Sequence, residues 1–307
     1  MSFSRQYAEG MRIFGDGHAL YKPEISESLQ PGDVGYFDST ARWNPLASLS
    51  DPASLTLLNL QSPTEPLERA PSLKIAGWGP RTTESVKRNV LDGGVELTNA
   101  GLPVEASVKV EYLSDSGFGA ILLTSSPITR EGYYFDSPFR TWIKANSKAL
   151  LEGPRGTDIA KYGIVVVTQT FSTKKAGITA WGRSGHGAYV GFSSGTLGVG
   201  SLQANCGWFT GNSASGWSVY GGEALEEEQV VFIAGLRYHK SRNPFANQLH
   251  ESSEFTSGPF AHRSAESHEG DIILETIDDN QVLFEIQLIG QPLDRPDESD
   301  DENDDAD

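Results

Sequence analysis

The sequence predicts an α+β protein that is mostly β, a twisted antiparallel sheet of long strands with one clear amphipathic helix on its periphery. Three observations carry this. The 33 glycines and 16 prolines suit a chain of many turns and disfavour an all-helical protein. Apolar Val104, Ala106, Val108, Val110 and Tyr112 alternate with Glu105, Ser107, Lys109 and Glu111, as in a strand buried on one face. The run from Tyr162 to Lys175, dense in β-branched residues, reads as a strand buried on both faces, because Ile164 and Val166 would point one way and Val165 and Val167 the other.

In chain order, Gly17 to Tyr21 and Val34 to Phe37 flank a turn at Pro31-Gly32-Asp33, which predicts a short hairpin or meander. Residues Ser50 to Pro71 hold four prolines and define no regular element. After the alternating strand, Ser114 to Gly117 makes a turn, Phe118 to Thr124 returns, and Thr129 to Phe135 adds another strand of an antiparallel meander. The helix follows. Ser137 is the expected N-cap, Pro138 sits at the first helical position and Gly153-Pro154 ends it, with Phe139, Trp142, Ile143, Ala149 and Leu150 on one face. From Gly182 to Gly222 the chain holds 12 glycines among Trp, Tyr and Phe, a composition for tight hairpins whose register is weakly pinned. Val230 to Tyr238 gives a last strand of the body. Ile272 to Thr276 and Val282 to Ile289 give a hairpin about the Asp278-Asp279-Asn280 turn. The expected organisation is a single β-rich domain over 1–240, a loop or linker over 241–270, a C-terminal hairpin over 271–293 and a disordered acidic tail over 294–307.

Charge is distributed unevenly. The chain carries net −17, yet between Pro138 and Arg183 eight basic residues face only Glu152 and Asp158, while nine acidic residues crowd the tail from Asp294 to Asp307. Arg140, Lys144 and Lys148 recur every four residues and form a basic stripe on the helix, which Lys174 and Lys175 would extend if the two elements pack together. Such a stripe suits anionic lipid, at roughly 1 kcal/mol per basic residue near a charged surface. An ordinary solvated helix face has the same pattern. The acidic C-terminus is an intramolecular competitor for the stripe, or a solubilising tail.

Other signals are weaker. The single Cys206 excludes an intramolecular disulfide and any multi-thiolate zinc site. His262 and His268 flank Glu266 in a polar stretch, which a solvated loop explains as well as a metal would; His186 lies in a Gly-rich turn, and no cofactor or metal is expected. Gly195, Gly198 and Gly200 lack the helix start and Lys-Ser/Thr of a phosphate loop. No catalytic constellation appears, and a pI near 4.7 argues against nucleic acid as a partner. The first residues lack a secretory signal and the apolar runs are short, so a cytoplasmic protein, recruited to membranes, is expected.

From about Gly94 to Tyr238 the order of elements resembles the pore-forming domain of gasdermins. The residues that carry this are the strands of Val104 to Thr124, the helix Phe139 to Leu151, and Ile164-Val165-Val166-Val167-Thr168-Gln169-Thr170, which is similar to that family's leucine-tyrosine-valine-valine-threonine-glutamate run. Val230 to Leu236 is similar to its late apolar strand. Separately, Gly32-Asp33-Val34-Gly35-Tyr36 and Thr173-Lys174-Lys175 resemble an expanded family of mushroom-forming fungi. The gasdermin resemblance implies a latent form whose paired strands lengthen into hairpins of a membrane barrel, as a homo-oligomer, once a C-terminal restraint is released. The alternative is a non-enzymatic β-rich interaction or ligand-binding module in which Trp208, Trp217 and Tyr220 stack on a partner, unless these rings belong to the core.

Overall fold

The computed structural model describes residues 2–76, 78–91, 108–115, 117–192, 207–213, 216–222, 226–240, 272–277 and 280–289. The protein is mostly β, and among the described residues every strand pair is antiparallel. In chain order the elements are α1 (Phe3–Met11), a single 3-10 turn (Arg12–Phe14), β1 (His18–Ile25), β2 (Asp33–Phe37), β3 (Trp43–Ser48), α2 (Pro52–Leu57), β4 (Leu73–Ile75), β5 (Arg81–Thr82) and β6 (Val86–Val90). Next come β7 (Val108–Ser114), β8 (Gly119–Thr124), β9 (Ile128–Gly132), α3 (Ser137–Glu152), α4 (Gly156–Tyr162), β10 (Ile164–Thr173), β11 (Lys175–Trp181) and β12 (Gly187–Phe192). The chain continues through β13 (Trp208–Ser213), β14 (Ser218–Gly221), β15 (Gln229–Lys240), β16 (Ile272–Ile277) and β17 (Asn280–Ile289).

Three sheets form in place of one. The largest has nine strands, with β10 and β15 at its centre. All ten residues of β10 are buried, as its β-branched run requires: Ile164 and Val166 face a cluster with Phe139, Trp142, Ile143 and Leu150 of α3, and Val165 and Val167 face Leu20, Leu29, Trp43 and Ile233. The helix is capped by Asp136, one residue earlier than expected: the Asp136 carbonyl accepts from the Phe139 and Arg140 amides, each at 3.1 Å, so Ser137 falls inside the first turn. Of the predicted apolar face, Phe139, Trp142, Ile143 and Leu150 are buried and Ala149 is half-buried against the same cluster. The proline-rich stretch docks on the helix. Trp142 Nε1 donates to the Gln61 carbonyl at 2.6 Å, and the Gln61 amide donates to Asn146 Oδ1 at 2.7 Å, which satisfies the polar groups of a buried Trp and Asn.

The two smaller sheets have four strands each and mirrored orders, β14-β11-β8-β5 and β13-β12-β7-β6. Every link from β5 to β6, β7 to β8, β11 to β12 and β13 to β14 therefore crosses from one sheet to the other. Four stacked arches result, with Val110, Tyr112, Ile121, Leu123, Ala188 and Val190 packed between the sheets. This corrects the expected meander: β7 and β8 are not partners, and β9 joins the nine-stranded sheet. The physical reason is visible in β8, whose Gly119 to Leu123 are buried on both faces because it lies in a middle layer. On its other side Ala120 and Leu122 meet Tyr7, Met11, Phe171 and Phe232.

The N-terminal hairpin is also corrected. β1 pairs with β15, whereas β2 pairs with β3 and β10, so Pro31-Gly32-Asp33 links two separate positions of one sheet. The C-terminal strands pair as expected, and β17 adds to β15, which makes this hairpin an extension of the main sheet. The linker expected over 241–270 and the acidic tail over 294–307 lie outside the described residues.

Candidate functional site

The β13-β12-β7-β6 sheet consists of two sequence-local hairpins side by side. β6 pairs with β7, β12 pairs with β13, and β7 joins the two by pairing with β12. Phe192 stands opposite both Val108 and Trp208, and Val90 opposite Val110, so the connections 91–107 and 193–207 leave the sheet at the same end.

The faces of this sheet differ in chemistry. Inward-facing Val110, Tyr112, Ala188, Val190, Phe192 and Trp208 are buried against the neighbouring sheet. On the opposite face Glu111 accepts a hydrogen bond from the Tyr189 hydroxyl at 2.9 Å, beside half-exposed Lys109. In β6, Lys87 and Asn89 take the polar side, while Arg88 falls across from Tyr112 on the exposed edge strand. Burial raises the Tyr112 phenol to about 12, with the Arg88 charge opposing the shift. The expected alternation from Val108 to Tyr112 is thus a real division into an apolar and a polar face; Val104 to Ser107 lie outside the described residues.

A second signal lies in the sequence itself. The 36 positions from Gly187 through Gly222 contain no Asp, Glu, Lys, Arg or His, where the chain's 21% charged content would place about eight. This run covers the whole second hairpin and β14. Glycine content marks the region as turn-rich, but its lack of charge is the more specific property.

The basic stripe exists on α3. Lys144 and Lys148 are exposed and Arg140 is half-buried. Lys148 lies 4.0 Å from Glu152, Arg140 acts on the carboxyl of Asp136, and Thr141 Oγ1 donates to Glu65 Oε1 at 2.9 Å, so acidic groups border the stripe. Burial raises the Asp136 carboxyl, while Arg140 and a Thr168 hydroxyl pull it down. Lys174 and Lys175 do not extend the stripe. α3 packs over Ile164 and Val166, whereas Lys174 follows the far end of β10, about 26 Å along a strand from Val166 at 3.3 Å per residue.

Nor do the three aromatic candidates form one exposed platform. Trp208 is only 6% exposed, with the Lys175 ammonium 4.1 Å from its ring centroid. Its size and its place on the inner face put it in the core. Trp217 and Tyr220 are half-buried and pack against two different clusters. The exposed apolar residue of β14 is Val219, at 49%, beside exposed Ser218.

Among the described residues no three His, Cys, Asp or Glu side chains converge on a metal-binding point. His186 is exposed at an arch, where its carbonyl accepts from the Ser114 amide at 3.1 Å. His262, Glu266, His268, Cys206, Gly195, Gly198 and Gly200 lie outside the described residues. Among those described, no helix is long and apolar enough to cross a membrane. No family of proteins and no curated protein matches the chain.

Proposed function

We propose that this chain is a latent membrane-permeabilising protein whose two adjacent hairpins, β6-β7 and β12-β13, lengthen into transmembrane strands. The observation that carries this reading is their arrangement as four neighbouring strands whose inner face is apolar through β7 and β12, with Arg88 of β6 and Thr210 of β13 at its polar positions, and with both connections at one end. A barrel wall needs one face toward lipid and one toward water, with every backbone group paired to a neighbouring strand. A membrane-spanning strand takes roughly 9–11 residues. The 29 positions from 86 through 114 and the 27 from 187 through 213 each hold two such strands and a turn. A charge-free second hairpin avoids the roughly 2–4 kcal/mol that a Lys or Arg costs at the bilayer midplane.

In the latent form the apolar face is covered by the adjoining sheet, so insertion requires the two four-stranded sheets to part. Anionic lipid is the partner that fits Arg140, Lys144 and Lys148, and four strands per chain make a barrel only as a homo-oligomer. The test is dye release from vesicles with and without phosphatidylserine, using the full chain at rising concentration and mild acidification. Release that needs anionic lipid and rises more steeply than linearly with protein supports the reading. Absence of both release and vesicle binding across those conditions rejects it.

A further inference from the structure

The N-terminal segment lies across the arches. α1 rests on the main sheet through Tyr7 and Met11, which are buried with Phe171 and Phe232, and the Tyr7 ring stands edge-on to Tyr21 of β1 at 5.4 Å. From there the segment reaches three of the four links between the smaller sheets. The Phe3 ring stands edge-on to Phe118 in the β7–β8 link, with 5.6 Å between centroids, and a Cβ at Gly182 in the β11–β12 link would lie 3.4 Å from it. Gly10 presses on Thr83 in the β5–β6 link, since a Cβ on Gly10 would stand 2.5 Å from Thr83 Cγ2. Beyond α1, Phe14 and Trp78 enclose the Arg81 guanidinium of β5, 4.3 Å from each ring centroid, and Asp16 pairs with it at 3.1 Å.

The links are also tied to one another. The Asp115 amide donates to the Ser85 carbonyl at 3.2 Å, and the Ser114 amide to the His186 carbonyl at 3.1 Å. All lie at the end of the sheets opposite the connections 91–107 and 193–207. The orders β14-β11-β8-β5 and β13-β12-β7-β6 place each strand beside the same neighbours on both sides of its arch. Straightening the arches would therefore join the two sheets end to end into one four-stranded sheet in which every strand keeps its neighbours. Gly117 and Gly185, at φ +56° and +75° with open space around them, are the points in two arches where the backbone can swing.

We infer that residues 3–16 form a strap that holds the arches bent, and that lifting it lets β5-β6, β7-β8, β11-β12 and β13-β14 straighten into four continuous strands. The inference rests on the membrane reading for its role, and names the step that releases the latent form. The strap grips at a built-in cost. The Tyr7 hydroxyl, Trp78 Nε1 and Arg81 Nε are buried with no hydrogen-bond partner among the described residues, a penalty that lifting the strap relieves. Its rim is open as well, with Phe3 43% and Ile13 49% exposed.

A Cβ on Gly10 would lie 3.3 Å from that of Thr83, close to the separation a disulfide bridges. The test is a full chain with Gly10→Cys, Thr83→Cys and Cys206→Ser, oxidised to lock the strap or reduced to free it, beside a Cys206→Ser control. In dye release from phosphatidylserine vesicles the oxidised chain should be at least tenfold less active than the control, and dithiothreitol should restore release. Equal release by the oxidised and reduced chains overturns the strap. A control that neither binds vesicles nor releases dye rejects the membrane reading instead, and a lipid-free readout then judges the strap. In a chain with Phe3→Ala and Arg81→Met, the Ser114 and Asp115 amides should exchange hydrogen at least tenfold faster than in the native chain, with no change at Val166 of β10. Unchanged exchange at Ser114 and Asp115 overturns the inference, as does an equal rise at Val166, which marks a general loss of stability.

Discussion

The Lys175 ammonium rests 4.1 Å from the centre of the Trp208 ring, which ties the first residue of β11 to the first residue of β13 across the two four-stranded sheets. Gly177 makes room for the ring, since a Cβ there would stand 2.8 Å from it. Trp208→Ala should destabilise the protein by about 3–5 kcal/mol, and Lys175→Met by about 0.5–2 kcal/mol. Urea unfolding measures both. If the sheets part during insertion, Trp208→Ala should also lower the protein concentration needed for dye release.

Gly235 interrupts β15 at φ +152°, where the pairing with β10 shifts between Val167 and Gln169, and a Cβ there would overlap the Val166 carbonyl. Gly235→Ala should cost about 1–3 kcal/mol or more in urea unfolding, through backbone strain at the centre of the main sheet. Gly185→Ala, at φ +75° in an arch with open space around it, should cost less.

Reversing the stripe with Arg140→Glu, Lys144→Glu and Lys148→Glu should weaken binding to phosphatidylserine vesicles by more than a hundredfold, given roughly 1 kcal/mol per basic residue. The Lys144 and Lys148 reversals should each change stability by less than about 1 kcal/mol, because the ion pair with Glu152 is exposed and the apolar face is untouched, whereas Arg140→Glu sets a like charge beside the Asp136 carboxyl and should cost more. Co-sedimentation and thermal unfolding separate the two effects. The same reversal at Lys174 should leave vesicle binding within twofold, since that residue lies apart from the helix.

Acid should destabilise the fold through His18. Burial, with the charges of Arg237 and Arg12, holds this imidazole down to about 4 from an ordinary 6.5. Between those values the unfolded chain takes up a proton that the native state refuses, so stability is full above about pH 6.5 and falls as the pH drops toward 4, by about 1.4 kcal/mol per pH unit at most. His239 is lowered to about 4 by burial and Arg237 and adds in the same direction. Urea midpoints at pH 7 and pH 4.5 should differ less in His18→Gln than in the native chain.

The elements legible in the sequence were those whose own pattern sets their burial. Ile164 to Thr173 is mostly β-branched and is buried throughout; Val108 to Tyr112 alternates and divides into two faces; Phe139, Trp142, Ile143 and Leu150 share a helix face and pack together. Pairing was not legible, because a tight turn after Ser114 is compatible with a hairpin or an arch. The doubly buried Gly119 to Leu123 was the available sign that β8 leaves its neighbour. α1 escaped because it is short and its buried Tyr7, Ala8 and Met11, though at helical spacing, are too few to set a period. For the candidate site, the alternation of β7 and the stripe of α3 were readable, whereas the arrangement of two hairpins depends on contacts between residues 80 positions apart, such as Val110 with Val190. Trp208 was nominated for a ligand because a single ring carries no periodicity that distinguishes core from surface.

The most direct test of the insertion account is an environment-sensitive NBD dye placed in turn at positions 108 through 113, in full chains carrying Cys206→Ser, with phosphatidylserine vesicles that contain a lipid-borne quencher. If β7 becomes a barrel strand, labels replacing Val108, Val110 and Tyr112 should be quenched by lipid, and those replacing Lys109, Glu111 and Leu113 should stay in water. A period of two in membranes is the predicted result. Labels that all remain aqueous, or that are quenched without alternation, would contradict it.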